Sequence, residues 1–240
     1  MRNLIRAELD KLRTLRSTWI VLAICAVLTP GLAALILGTH KRLQDVPSLI
    51  SNGTFALSAL LAGILCATTF ANEYKDRTIA TAFVLTPARS RVVIAKAIAA
   101  VIVGLLLAIV ATAVCYALTA LWLHGSNVSW PWTGRQLLHA VAGNLALGMA
   151  LPLAGVGIAA STQSPGVAGT VVGVTWVGVS NVLSAVFTFF RHYGIGAAQS
   201  ALTQPTGHHY YEFLGALAVT LGVSALALCA GMRRAQLTDV

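Results

Sequence analysis

Six runs of apolar side chains, each long enough to cross a hydrocarbon core about 30 Å thick, constrain this chain more than anything else in it. They lie at about 18–38, 53–71, 97–123, 136–160, 166–190 and 213–231. Backbone N–H and C=O groups find no water in lipid, so a spanning segment has to pair them internally, and runs of this length imply helices. Composition agrees: 57% of residues are hydrophobic, 10% are charged and mean hydropathy is +0.80, against about a quarter charged in a soluble domain. The expectation is an all-α polytopic membrane protein, a single transmembrane domain over 1–240.

A formal charge of +9 would suggest nucleic acid in a soluble protein, but here the distribution of charge decides. Six crossings put both termini on one side. Twelve of the sixteen Lys and Arg residues then fall on that side, in the N-terminal segment, between the second and third runs, and in the tail. Lys41, Arg42, Arg135 and Arg191 fall on the other. Such an excess marks the cytoplasmic face, so the expected location is the plasma (inner) membrane with both termini inside and no nucleic-acid partner. Residues 1–16 carry Ile5, Leu9, Leu12 and Leu15 at helical spacing with charges opposite. They read as an amphipathic interfacial helix, or else as a basic flank that orients the first span. The long apolar run that follows, with Glu8 and Asp10 before it, does not fit a signal peptide.

Between the second and third runs lies the stretch 72–96, NEYKDRTIATAFVLTPARSRVVIAK. Thr78 is placed to cap a short helix over Ile79–Leu85, and Pro87 ends it, because proline lacks an N–H and disfavours helix at the residue before it. Exposed Ile79, Phe83 and Val84 flanked by charge would suit the groove of another protein. The same helix could instead rest on lipid headgroups with its basic side chains snorkelling. Composition leaves both open.

Glu73, Arg77-Thr78, Leu85-Thr86-Pro87-x-Arg89 and Lys96 together resemble the intracellular pattern of permease subunits of type-2 ABC exporters (type V fold group). Arg77 stands where that family often has Gly, and Arg89 follows Pro87 after one residue rather than two. The likeness extends over the chain: an interfacial N-terminal helix, six spans, and a loop between spans two and three. It implies that 72–96 holds a cytoplasmic coupling helix docking on a separate ATPase subunit through Glu73, Arg77, Thr78, Ile79, Phe83, Pro87 and Arg89. It also implies a second permease copy or a related permease, transport outward, and ATP and Mg bound by the partner rather than here. Consistently, the sequence has no GxxxxGK[ST] phosphate loop, so it is not expected to be an enzyme or to hold a cofactor.

Polar residues inside spans are functional candidates. Asn144, Thr175 and Asn181, with Ser180 nearby, either line a substrate path or bond helix to helix. No acidic residue lies deep in a span, so proton-driven transport lacks its chemistry. His208 and His209 have no second ligand pair, and no metal site is expected; His139 reads as a packing or capping residue. Cys25, Cys66, Cys115 and Cys229 lie in apolar runs without metal or haem spacing. Gly169-xxx-Gly173 offers a small-residue face for close helix contact, and Ser51 or Asn52 is placed to cap the second span. Apolar fourth and fifth spans would suit a hydrophobic drug, lipid or peptide as cargo. The alternatives are a non-transporting immunity or assembly factor and an intramembrane enzyme; the latter has only Ser180, without a following glycine or a partner histidine.

Overall fold

A computed structural model describes residues 2–39, 46–79, 89–125, 132–179, 186–205 and 211–237. Nine α-helices run through them: α1 (Arg2–Thr14), α2 (Arg16–Thr39), α3 (Val46–Lys75), α4 (Arg89–Gly125), α5 (Gly134–Thr162), α6 (Pro165–Gly173), α7 (Thr188–Tyr193), α8 (Ile195–Thr203) and α9 (Phe213–Leu237). A π-helical turn, Val174–Val179, continues α6. Among the described residues α2, α3, α4, α5 and α9 are long and apolar enough to cross a membrane. The expected fifth run, 166–190, begins as α6 and its π turn; 180–185 lie outside the described residues.

Helix edges depart from hydropathy edges in both directions, because polar residues at the ends of a run are still good helix formers. α3 begins at Val46 with Pro47 in its first turn, where a missing N–H costs nothing. Ser51 is therefore interior and is not the cap: its hydroxyl lies 3.2 Å from the Tyr116 phenol of α4. α4 begins at Arg89 rather than near 97, since Val92, Val93 and Ala95 are already buried there. At α5 the capping box is complete, with Thr133 and Gln136 satisfying each other's backbone N–H.

α5 stands at the centre and packs on α3, α4 and α9. In lipid the hydrophobic effect does not drive helices together, so close backbone approach has to, and small residues permit it. A different α5 glycine faces each neighbour. A Cβ on Gly148 would sit 2.6 Å from the Ala108 side chain of α4, and one on Gly155 would sit 2.5 Å from the Gly63 carbonyl oxygen of α3. Gly157 abuts Ala227 and Gly231 of α9, and Gly143 abuts Leu202 of α8. Gly169 and Gly173 do form a contact face, turned toward Thr68 and Ile64 of α3.

The two ends of the bundle are distinct. His139 near the start of α5 stacks edge-on against Phe213 at the start of α9, with ring centroids 4.7 Å apart. Gly157 and Gly231, near the ends of the same helices, also meet, so α5 and α9 run parallel. At the opposite end from His139, α1 packs on α4. Replacing Gly155 by Val should cost about 1–3 kcal/mol through overpacking against Gly63; thermal unfolding of the purified chain in detergent measures it, with exposed Gly222→Ala as the near-neutral comparison.

Candidate functional site

Three helices converge where the stretch 72–96 leaves and re-enters the bundle. α3 brings Glu73 in its last turn, α4 brings Lys96 two turns from its start, and α1 lays Glu8 and Lys11 on one face three residues apart. Lys96 Nζ donates to Glu73 Oε1 at 2.6 Å and to both carboxylate oxygens of Glu8 at 2.7 Å. Lys11 Nζ donates to the same Glu73 oxygen at 2.7 Å. The charges alternate in sign along the chain Lys11, Glu73, Lys96, Glu8. Glu73 and Lys96 are nearly closed off, at 6% and 5% exposed, and Lys96 also lies 5.2 Å from the Phe70 ring centroid. Charges this deep are tolerated only when paired and hydrogen-bonded; here each buried ion meets two of the opposite sign.

Both ends of the stretch are fastened. After α3, Arg77 takes the left-handed conformation at φ 56°, the position past a helix end that glycine fills most easily. This accounts for glycine at the matching place in the resembling sequences. The Thr78 hydroxyl donates back to the Glu73 carbonyl at 3.4 Å, and Thr78 and Ile79 are themselves helical, so the chain turns back into helix immediately after Arg77. On the far side, Arg89 Nη1 donates to the Ala235 carbonyl near the end of α9, at 3.4 Å. A cation there complements the helix terminus.

Two of the expected docking residues are therefore internal. Ile79 is 0% exposed and packs among Phe70, Val92, Val93 and Ala159; it anchors the segment and is not an exposed contact. Glu73 is consumed by the two lysines. Arg77 and Thr78 are exposed, and Arg89 is half-buried. Phe83, Val84 and Pro87 lie outside the described residues, as does the expected helix Ile79–Leu85 beyond its first residue.

The intramembrane candidates separate in the same way. Asn144 is fully buried, its amide donating to the Ala108 carbonyl at 3.1 Å and to the Thr112 hydroxyl. That is a helix-to-helix bond between α5 and α4. Thr175 is exposed on the π turn. Asn181, Ser180, His208 and His209 lie outside the described residues. His139 packs and bonds, with Nε2 2.8 Å from the Ala201 carbonyl.

A family model described as "ABC-2 family transporter protein" matches residues 4–196, which takes in the ionic cluster and the helices from α2 to α7. The chain belongs to the ABC-2 transporter family. This ABC-2 permease is thus a multi-pass membrane component of a transporter. A search among curated proteins finds no match.

Sequence reasoning singled out Glu73 but not its partners. Glu8 and Lys11 share a face of α1, and Lys96 stands in the family pattern, yet the pairs they make span 62, 88 and 23 positions. The available signal was a carboxylate, Glu8, one turn from the apolar residues Leu4, Ile5 and Leu12 of a largely basic helix. Removing the buried cation in Lys96→Met should cost about 3–5 kcal/mol by depriving Glu8 of its cation and leaving the buried Glu73 with Lys11 alone. Lys11→Met, whose side chain is 41% exposed, should cost about 0–1 kcal/mol; thermal unfolding of both variants reads the contrast. In the same assay Arg77→Gly should stabilise the permease by about 0.5–1 kcal/mol by relieving the left-handed backbone.

Proposed function

We propose that this permease works as the membrane half of an ATP-driven exporter, two permease chains enclosing the substrate path and a separate ATPase subunit docking on the segment 75–89 of each. The observation that carries this reading is the double fastening of that segment. Its first end is held by the Glu73 cluster and by Ile79, its second by Arg89 on α9. A push received between these points reaches α1, α3, α4 and α9 together as a rigid-body displacement instead of dissipating in a loose loop. Docking then falls to Arg77, Thr78, Phe83, Pro87 and Arg89, while Glu73 and Ile79 transmit. ATP and Mg are the partner's ligands.

The parallel course of α5 and α9 supports six crossings. Thr162 ends α5 at one face and Phe213 opens α9 at the other, so residues 163–212 have to traverse the bundle once. We read α6 and its π turn as the beginning of that fifth crossing. Both termini and the segment 72–96 then face the cytoplasm of a plasma membrane, as the excess of basic residues requires. A hydrophobic drug, lipid or peptide fits the small-residue, charge-poor faces of α5 and α6 as the class of cargo.

Co-reconstitution with an ABC ATPase subunit that co-purifies with the permease tests the proposal. Wild type should stimulate the ATPase, and Phe83→Asp should return it to the rate of the ATPase alone without unfolding the permease. Unchanged stimulation, or labelling of cysteines at 75–89 from outside intact cells, would overturn it.

A further inference from the structure

We propose that the groove between α1, α2 and α4 is a binding site for one anionic glycerophospholipid of the leaflet on which α1 lies. The groove encloses about 290 Å³. Leu12 of α1, Leu22 of α2, Leu65 of α3 and Leu106, Leu107 and Val110 of α4 line it, a surface that offers an acyl chain nothing but hydrocarbon. Its remaining residues have a different character. Arg13, Thr18 and Trp19 gather where the interfacial helix turns into the first span, and the Trp19 indole N–H donates to the Arg13 carbonyl at 2.9 Å. Trp19 is exposed and Arg13 is exposed, so the groove is open at this polar corner.

Two independent observations point to a ligand with an anionic head. Arg13 has no carboxylate partner among the described residues, whereas Lys11 and Lys96 are both paired in the ionic cluster. Thr18 is nine-tenths buried, lines the groove, and its hydroxyl finds no hydrogen-bond partner. An orphaned hydroxyl away from water is costly. A phosphate or glycerol-ester oxygen seated against Arg13 would accept its proton while the guanidinium engages the phosphate in its fork. Charge selects the anionic class. Glu8, which would oppose it, is turned away onto Lys96, leaving Arg13 as the cation that lines this corner. A tryptophan at headgroup level is the ordinary companion of such a site.

Native mass spectrometry of the purified chain in detergent, titrated with dioleoyl phosphatidylglycerol or dioleoyl phosphatidylcholine, tests this. Wild type should retain one phosphatidylglycerol with a preference of about fivefold, the factor a single basic residue contributes near an anionic lipid. Arg13→Gln should abolish the preference, Arg6→Gln on the same helix should keep it, and Leu106→Trp should lower retention of both lipids by filling the groove. Equal retention of the two lipids by wild type would overturn the proposal. So would an Arg13→Gln chain that still discriminates, or efficient chain-to-chain crosslinking of Leu106→Cys in membranes, which would make the groove an interface between copies.

Discussion

A pair of ions withdrawn from water, Glu73 and Lys96, fixes the geometry on which the rest of this permease depends. Their contact ties the end of α3 to the start of α4 at 2.6 Å, the two helices that flank the segment 76–88. Neither ion is left with a single partner: Glu8 adds a second anion to Lys96 and Lys11 a second cation to Glu73. Such a cluster is poor value as pure stabilisation, because desolvation offsets most of the Coulomb attraction. What it supplies is specificity. Sliding α3 against α4 by one turn, about 5.4 Å, would break the Glu73–Lys96 pair and one of the two bonds to α1, so the register of three helices is set by one point.

Elsewhere in the bundle the register is set by the absence of side chains. α5 meets α4 through Gly148, α3 through Gly155 and α9 through Gly157, each at backbone distance. Close approach of this kind resists sliding as firmly as charge does, since a shift of one residue brings a side chain where only a hydrogen fits. Asn144 adds a directed bond to Ala108 and Thr112 beside the Gly148 contact. The central helix is therefore locked along its length, while α2, whose spanning window is only 17% buried, is held mainly through α3 and α4. Motion that opens a path is more easily borne at such a thinly packed helix than at α5.

Much of the scaffold was legible in the sequence, and the reason is that length and apolarity of a span are local properties. Five of the six apolar runs correspond to long helices, and the small-residue face at Gly169 and Gly173 packs as such. The beginnings of α3 and α4 were not legible, because hydropathy marks where lipid begins and not where helix begins: Arg89, Ser90 and Arg91 are polar yet helical. Ile79 shows a second limit. An apolar residue in a charged stretch fits a partner's groove and the chain's own core equally well, and only the position of Val92, Val93 and Ala159 decides between them. The ionic cluster was the least legible feature, since its members carry no spacing rule; Glu8 meets Lys96 across 88 positions because two helices happen to pass.

The placement of Glu8 connects the membrane surface to the segment proposed to receive the work stroke. α1 holds its apolar residues toward α4 and the lipid, and its one buried-side carboxylate closes the cluster from below. Any tilt of α3 relative to α4 must either carry α1 with it or strand Lys96 with one anion fewer. Because α1 continues through Leu15 into α2 almost without interruption, a tilt transmitted through Glu8 also turns the first span, whose spanning window is only 17% buried. The permease thus has a physical route from residues 76–88 to its periphery that bypasses the rigid centre at α5. It runs through two ion pairs and one helix junction.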